Sequence, residues 1–161
     1  MDVLSIQKSI SFEVALSPGD LRVNNAWRAT GDRHGRKMRM YKTAEYRQAQ
    51  AKVCDAARKA ADGWTLEGPV HVHLTVFCPR LHRTGAPEGL PMLDVDACTK
   101  GVLDALETAQ IVEDDAQVML LTSSKVYQPA APGIYVYASE LDETSGAELT
   151  QRLLAATQGK I

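Results

Sequence analysis

Leu93 to Val118 reads LDVDACTKGVLDALETAQIVEDDAQV. The stretch describes a short helix, from about Asp96 to Leu106 or Ala109, with acids gathered at both of its ends. Asp94 and Asp96 stand at the start, Lys100 lies one turn in, and Asp114 and Asp115 follow the end. A carboxylate beside the free N–H groups of a helix start is favourable, so Asp96 or Asp94 is expected as the cap. Carboxylates gathered in a fold raise one another's pKa unless a cation compensates them. Mg²⁺ takes oxygen ligands and is often held by one or two carboxylates, with substrate phosphate completing its shell. Asp94, Asp96 and Asp115 are therefore the expected metal ligands, and the chemistry they point to is that of phosphate. The same acids also suit a plainer role as caps and a solvated turn, because short acidic strings are common.

Strands flank this helix. Val70 to Phe77, VHVHLTVF, alternates, with Val70, Val72, Leu74 and Val76 on one face and His71, His73, Thr75 and Phe77 on the other. Pro79 ends it, and a loop rich in Gly and Pro leads to the acidic stretch. His71 and His73 share a strand face, where hydrogen-bonded or partly exposed histidines are commoner than metal ligands. Downstream, Val118 to Val126 and Ile134 to Ala138 read as strands joined by the turn-prone QPAAPG, and Ser145 to Gln158 reads as a helix with Leu149, Leu153 and Leu154 inward. Upstream, Ile10 to Leu16 alternates as a half-buried strand and stops at Ser17-Pro18-Gly19-Asp20. Thr43 caps a helix through about Ala61, with Tyr46, Ala49, Val53, Ala56, Ala57 and Ala60 at helical spacing and Gly63 as its stop. Residues 20–42 form a long basic loop with room for a short hairpin around Gly31 to Gly35. The order implies an α/β (α+β) fold, with about three helices on a small mixed sheet, and one domain over residues 1–161.

The formal charge of -2 carries no global sign of a nucleic-acid partner, but its distribution is uneven. From Arg22 to Lys52 the bases are Arg22, Arg28, Arg33, Arg36, Lys37, Arg39, Lys42, Arg47 and Lys52, against Asp32 and Glu45. From Glu88 to Asp115 the acids Glu88, Asp94, Asp96, Asp104, Glu107, Glu113, Asp114 and Asp115 face Lys100 alone. Cys54, Cys78 and Cys98 are odd in number and widely spaced, which indicates neither a disulfide framework nor a zinc site. No apolar run reaches membrane-spanning length, and MDVLSIQKSI lacks the basic start and apolar core of a signal peptide, so a cytoplasmic protein with no membrane partner is expected.

Bases on a Gly-containing segment suit phosphate contacts, and Trp27 and Tyr41 offer surfaces for base stacking. Arg28, Arg33, Arg36, Lys37, Arg39 and Lys42 are the expected DNA-backbone contacts. Lys100 shares a helix face with Asp96 and can offset charge building on a phosphate, or can make an ordinary pair with Asp96 or Asp104. Asp104 lies about 80° around a helix from Asp96 and is expected to be structural or supporting rather than a ligand. Two rivals fit poorly. A haloacid-dehalogenase-type phosphatase wants a strongly apolar strand before Asp94, and an EF-hand wants glycine where Thr99 stands.

The residues resemble the RusA family of Holliday-junction endonucleases, many of them carried by phages and prophages. The family pattern, DxDN, a lysine four positions after the second acid, LDAL and a closing DD, reads here as Asp94-Val95-Asp96-Ala97, Lys100, Leu103-Asp104-Ala105-Leu106 and Asp114-Asp115. Val23-Asn24-Asn25-Ala26-Trp27 before the basic loop and Tyr41 before the first helix are also similar to the family. The resemblance implies that Asp94, Asp96 and Asp115 bind Mg²⁺, for which Mn²⁺ can substitute, that Lys100 assists catalysis, and that Asn25 joins the DNA contacts. It further implies a homodimer that cuts opposed strands of a four-way junction in DNA recombination and repair. Ala97 stands where the family usually has Asn, and Gln110 where a turn usually has Gly. A junction-binding module with structural acids is the alternative.

Overall fold

The computed structural model describes residues 8–22, 26–30, 39–80, 91 and 93–141. Its main sheet has four strands: β1 (Ser9–Ala15), β4 (Val70–Cys78), β5 (Val118–Tyr127) and β6 (Gly133–Glu140), in the order β1-β6-β4-β5. β6 runs antiparallel to both β1 and β4, whereas β5 runs parallel to β4. A parallel neighbour needs a crossover, and α2 (Thr99–Thr108) lies on the chain between β4 and β5. A separate antiparallel pair, β2 (Trp27–Thr30) with β3 (Arg39–Lys42), makes a hairpin from the two ends of the basic segment, and the Gly31 to Gly35 stretch, where the turn is expected, lies outside the described residues. The result is an α+β arrangement around a mixed sheet, as the alternation and helical spacing imply.

Register explains the core. Three rows cross the sheet, Ile10 with Ala138 and Val72, Phe12 with Val136 and Leu74, and Val14 with Ile134 and Val76. All nine residues are buried. Each such side chain contributes about 1.5–3 kcal/mol by leaving water, which fixes the register, because a one-residue slip would turn the rows outward. Gly133 opens β6 beside β1, where a Cβ would collide with the Val14 carbonyl oxygen. On the other face, the His71 ring pairs with Thr122 at 3.2 Å and the His73 ring with Thr75 at 3.0 Å. Burial, followed by the charge of His73, pushes the His71 pKa down.

The first helix, α1 (Ala44–Ala61), begins where the sequence indicates: the Thr43 side chain accepts from the Tyr46 amide at 3.3 Å. Tyr46, Ala49, Val53, Ala57 and Ala61 form its buried stripe, and Asp62 ends it in the left-handed region at φ 48°. The second helix starts later than expected. Its N-cap is Cys98, without a side-chain cap bond, and neither Asp94 nor Asp96 caps it. Instead, turn bonds from the Ala97 amide to Asp94 O and from the Thr99 amide to Asp96 O carry the chain into the helix. Gln110 follows the helix at φ 61°, and the Ile111 amide donates back to Leu106 O at 2.9 Å, the backbone closure for which glycine is favoured. That conformation accounts for the glycine usual at this position in the family pattern. The helix expected over Ser145 to Gln158 lies outside the described residues. Among those described, no helix is long and apolar enough to cross a membrane.

Candidate active site

The acidic loop is fastened by side chains of β5, distant in sequence. Lys125 of β5 donates from Nζ to Leu93 O at 2.7 Å and to Pro91 O at 3.2 Å. Ser123, two residues earlier on the same strand face, donates from Oγ to Val95 O. Both residues pair across from core positions, Ser123 with Leu74 and Lys125 with Val76. Polar side chains at the buried phase of an edge strand are the signal that locates these anchors. The carbonyls thus restrained flank Asp94, while Asp94 and Asp96 themselves stand exposed and make no ion pair with any described residue.

Below the loop, Cys98 is fully buried and donates from Sγ to Pro18 O at 3.2 Å. Burial, then the neighbouring Cys78, pushes its thiol up to about 12, so it is a neutral packing group. Gly101 lets α2 press on the turn Pro18–Leu21, since a Cβ there would sit 3.0 Å from Leu21 O and 3.4 Å from the Tyr46 hydroxyl. This contact sets the depth of Lys100, the preceding residue.

Lys100 is the charged centre of the site. Its Nζ lies 2.7 Å from Asp115 Oδ2 and 2.8 Å from Asp104 Oδ1. Hydrogen bonds with Asp104 and then Asp115 hold the ammonium pKa well above its usual value, so it stays charged throughout the neutral range. The bond with Lys100 in turn holds the Asp115 carboxyl below the usual carboxylate range. Asp104 is therefore a direct partner of the lysine, a supporting role that i, i+4 spacing allows. Asp96 makes no such pair with Lys100.

A second local device selects which acid of Asp114-Asp115 is left to pair with Lys100. Asp114 caps the turn Asp115–Gln117, accepting from the Ala116 amide at 2.7 Å, while Gln117 Oε1 accepts from the Glu113 amide at 2.6 Å and the Asp114 amide at 3.3 Å. Gln117 is itself tied to Gly68 O at 3.0 Å. Asp114 is consumed by the cap, and Asp115 is left to meet Lys100.

Among the described residues, no group of three or more His, Cys, Asp or Glu side chains lies close enough to hold a metal ion. The convergence present is of Asp104 and Asp115 on one ammonium. The donors suit a hard cation in kind, being carboxylate oxygens, and one such point of convergence already carries positive charge.

Of the expected DNA contacts, Trp27 is exposed, and Lys42 sits 5.9 Å from its ring and 5.3 Å from that of Tyr46. Lys42 also reaches Gln50 at 3.5 Å, so it braces the hairpin against α1. Arg28, Arg39 and Tyr41 lie on the paired backbones of β2 and β3. Asn25, Arg33, Arg36 and Lys37 lie outside the described residues.

The family model for endodeoxyribonuclease RusA matches residues 18–138. The chain belongs to the RusA family. That span runs from the turn at Pro18 to the end of the core row on β6, and it includes every anchor of the acidic loop described above. RusA proteins are endodeoxyribonucleases, and nuclease activity follows for this member at the level of the family. The comparison with curated proteins returned no match.

Proposed function

We propose that this RusA-family protein resolves four-way DNA junctions by metal-assisted phosphodiester hydrolysis, acting as a homodimer whose protomers nick opposed strands in recombination and repair. The observation that carries the reading is the charged Lys100, held between Asp104 and Asp115 on the helix that follows a loop whose Asp94 and Asp96 are exposed. Asp94, Asp96 and Asp115 would hold Mg²⁺ or Mn²⁺. When bound, the ion would lower the pKa of water and offset charge at the reacting phosphate.

The chain's own groups do the rest. Asp94 and Asp96 are exposed to an incoming backbone, and the anchors at Ser123 and Lys125 restrain the loop that carries them. Lys100 is a fixed positive charge aimed from the helix side, suited to the negative charge that develops on the phosphate oxygens. Asp104 retains that lysine when Asp115 gives up its share of it. Trp27 and the bases of the hairpin supply a stacking surface and a positive field that position DNA without reading sequence.

The absence of a three-acid group among the described residues favours a second reading, a junction-binding module in which the acids are structural. Strand cleavage on a synthetic four-way junction in Mg²⁺, compared with a linear duplex of the same sequence, separates the two. Paired nicks on the junction are expected. Tight junction binding with no nicks in either Mg²⁺ or Mn²⁺ would establish the module instead.

A further inference from the structure

A cleft of about 320 Å³ opens next to the acidic loop. Its walls are the turn Ser17-Pro18-Gly19, Arg22, the end of β4 at Cys78 with Pro79 and Arg80, and Leu93. Leu93 immediately precedes Asp94, and its carbonyl is gripped by Lys125, so the cleft shares a restrained wall with the candidate active site. Among the described residues, the lining includes Arg22 and Arg80 and no carboxylate. Arg80 is exposed and Arg22 half-buried, and neither makes an ion pair with a described residue. The other ionisable side chain among the described lining residues, Cys78, has its thiol pushed up by burial and supplies no negative charge near neutral pH.

Two cations lining one cavity with no counter-charge among the described residues repel each other, and an anion entering the cavity relieves that repulsion. Guanidinium is the side chain best matched to the tetrahedral oxygens of phosphate, because its planar fork donates two parallel hydrogen bonds. We infer that Arg22 and Arg80 form a subsite for a phosphodiester group of the DNA backbone, adjacent to the phosphate that is cleaved. The inference rests on the reading of the protein as a junction nuclease and adds to it a fixed anchor outside the hairpin. Because its walls are the main-sheet strand β4 and the turn under α2, this anchor is built into the scaffold. It registers the strand against Asp94 while the hairpin gathers the rest of the duplex.

The test is fluorescence anisotropy of a labelled four-way junction, in EDTA so that no strand is cut, between 50 and 200 mM KCl. The proteins compared are wild type, the Arg22→Ala/Arg80→Ala pair and the Arg22→Lys/Arg80→Lys pair, each checked for wild-type melting temperature. The alanine pair should bind about tenfold more weakly at low salt and lose about 1 unit of the slope of log K against log salt, as expected when one phosphate contact vanishes. The lysine pair keeps the charges and should keep most of the slope. An alanine pair with the wild-type slope and affinity overturns the subsite while leaving the junction-nuclease reading intact. A wild-type protein that shows no affinity for the junction overturns both. If the alanine pair fails to fold, the single substitutions Arg22→Gln and Arg80→Gln carry the same comparison, each with half the slope change expected.

Discussion

Lys100 and Asp115 are joined by a 2.7 Å ion pair across the end of α2, although fifteen positions separate them in sequence. The bond links the helix to the turn that leads into β5, and Asp104 completes it from one helical turn away. One ammonium shared by two carboxylates is an arrangement that a metal ion or a phosphate can rearrange, since the metal can take over a carboxylate and the phosphate can take over the ammonium.

Replacing Asp104 with Asn should separate catalysis from stability. The lost pair is an i, i+4 contact on the helix surface, worth less than about 0.5 kcal/mol to the fold. Its loss leaves Lys100 with Asp115 alone, so turnover on a junction should fall by about tenfold or more while junction affinity holds. That fall corresponds to about 1.4 kcal/mol of transition-state stabilisation. Single-turnover kinetics beside a binding titration check this, and an unchanged rate would remove Asp104 from the site.

Lys125→Met should unfasten the acidic loop. The substitution leaves the carbonyls of Pro91 and Leu93 without their donor, at a cost of about 1–3 kcal/mol if they remain unsatisfied. A lowered denaturation midpoint is expected, together with a loss of cleavage at temperatures where the protein remains folded. Ser123→Ala should do the same more mildly. Amide exchange at Val95 to Ala97 is the direct readout, and unchanged protection there would contradict the anchoring role.

Gln110→Gly should stabilise the protein. A side chain at φ 61° carries a left-handed penalty of about 1 kcal/mol that glycine does not. Part of that gain is offset by the greater freedom of glycine in the unfolded chain, leaving about 0.5 kcal/mol. Urea denaturation at constant slope measures it, and a lower midpoint would show that the Gln110 side chain makes a contribution of its own.

Alkaline pH should destabilise the fold through Cys98. Its folded value of about 12 lies above the ordinary thiol value of about 8.5. Below the unfolded value both states are protonated and the contribution is complete. As pH rises from about 8.5 towards 12, only the unfolded state loses its proton, and stability falls. Cys98→Ser should flatten this part of the pH profile, and native protein at pH 8 should leave the Cys98 thiol unreactive toward thiol reagents. Rapid labelling of Cys98 in the folded state would show that it is not sealed beneath the loop.

The readable parts of the sequence were those whose cause is local. The alternation of Val70, Val72, Leu74 and Val76 fixes β4 because each buried position is decided by its own strand phase. Thr43 marks the start of α1 for the same reason: its hydroxyl needs only the amide three residues on. Local pattern puts the start of α2 near Asp96, because an acid before an apolar run looks like a cap, whereas the helix begins at Thr99. Here the loop is held instead by Ser123 and Lys125 from β5, a contact no local pattern announces. The pairing of Lys100 with Asp104 was legible as spacing. Its selection over Asp96 follows from the depth of α2 against Leu21 and the cap that releases Asp115, both of them tertiary.

Asp94, Asp96 and Asp115 are proposed to hold a divalent ion while Lys100 remains with Asp104. A crystal soaked in Mn²⁺ and measured at the manganese edge tests it most directly. The expected result is an anomalous peak within coordination distance of oxygens from all three carboxylates, lost in Asp96→Asn, with the ammonium of Lys100 turned from Asp115. The contradicting result is an anomalous map without a peak there, and Lys100 still bonded to both Asp104 and Asp115, from protein that cuts junctions in Mn²⁺.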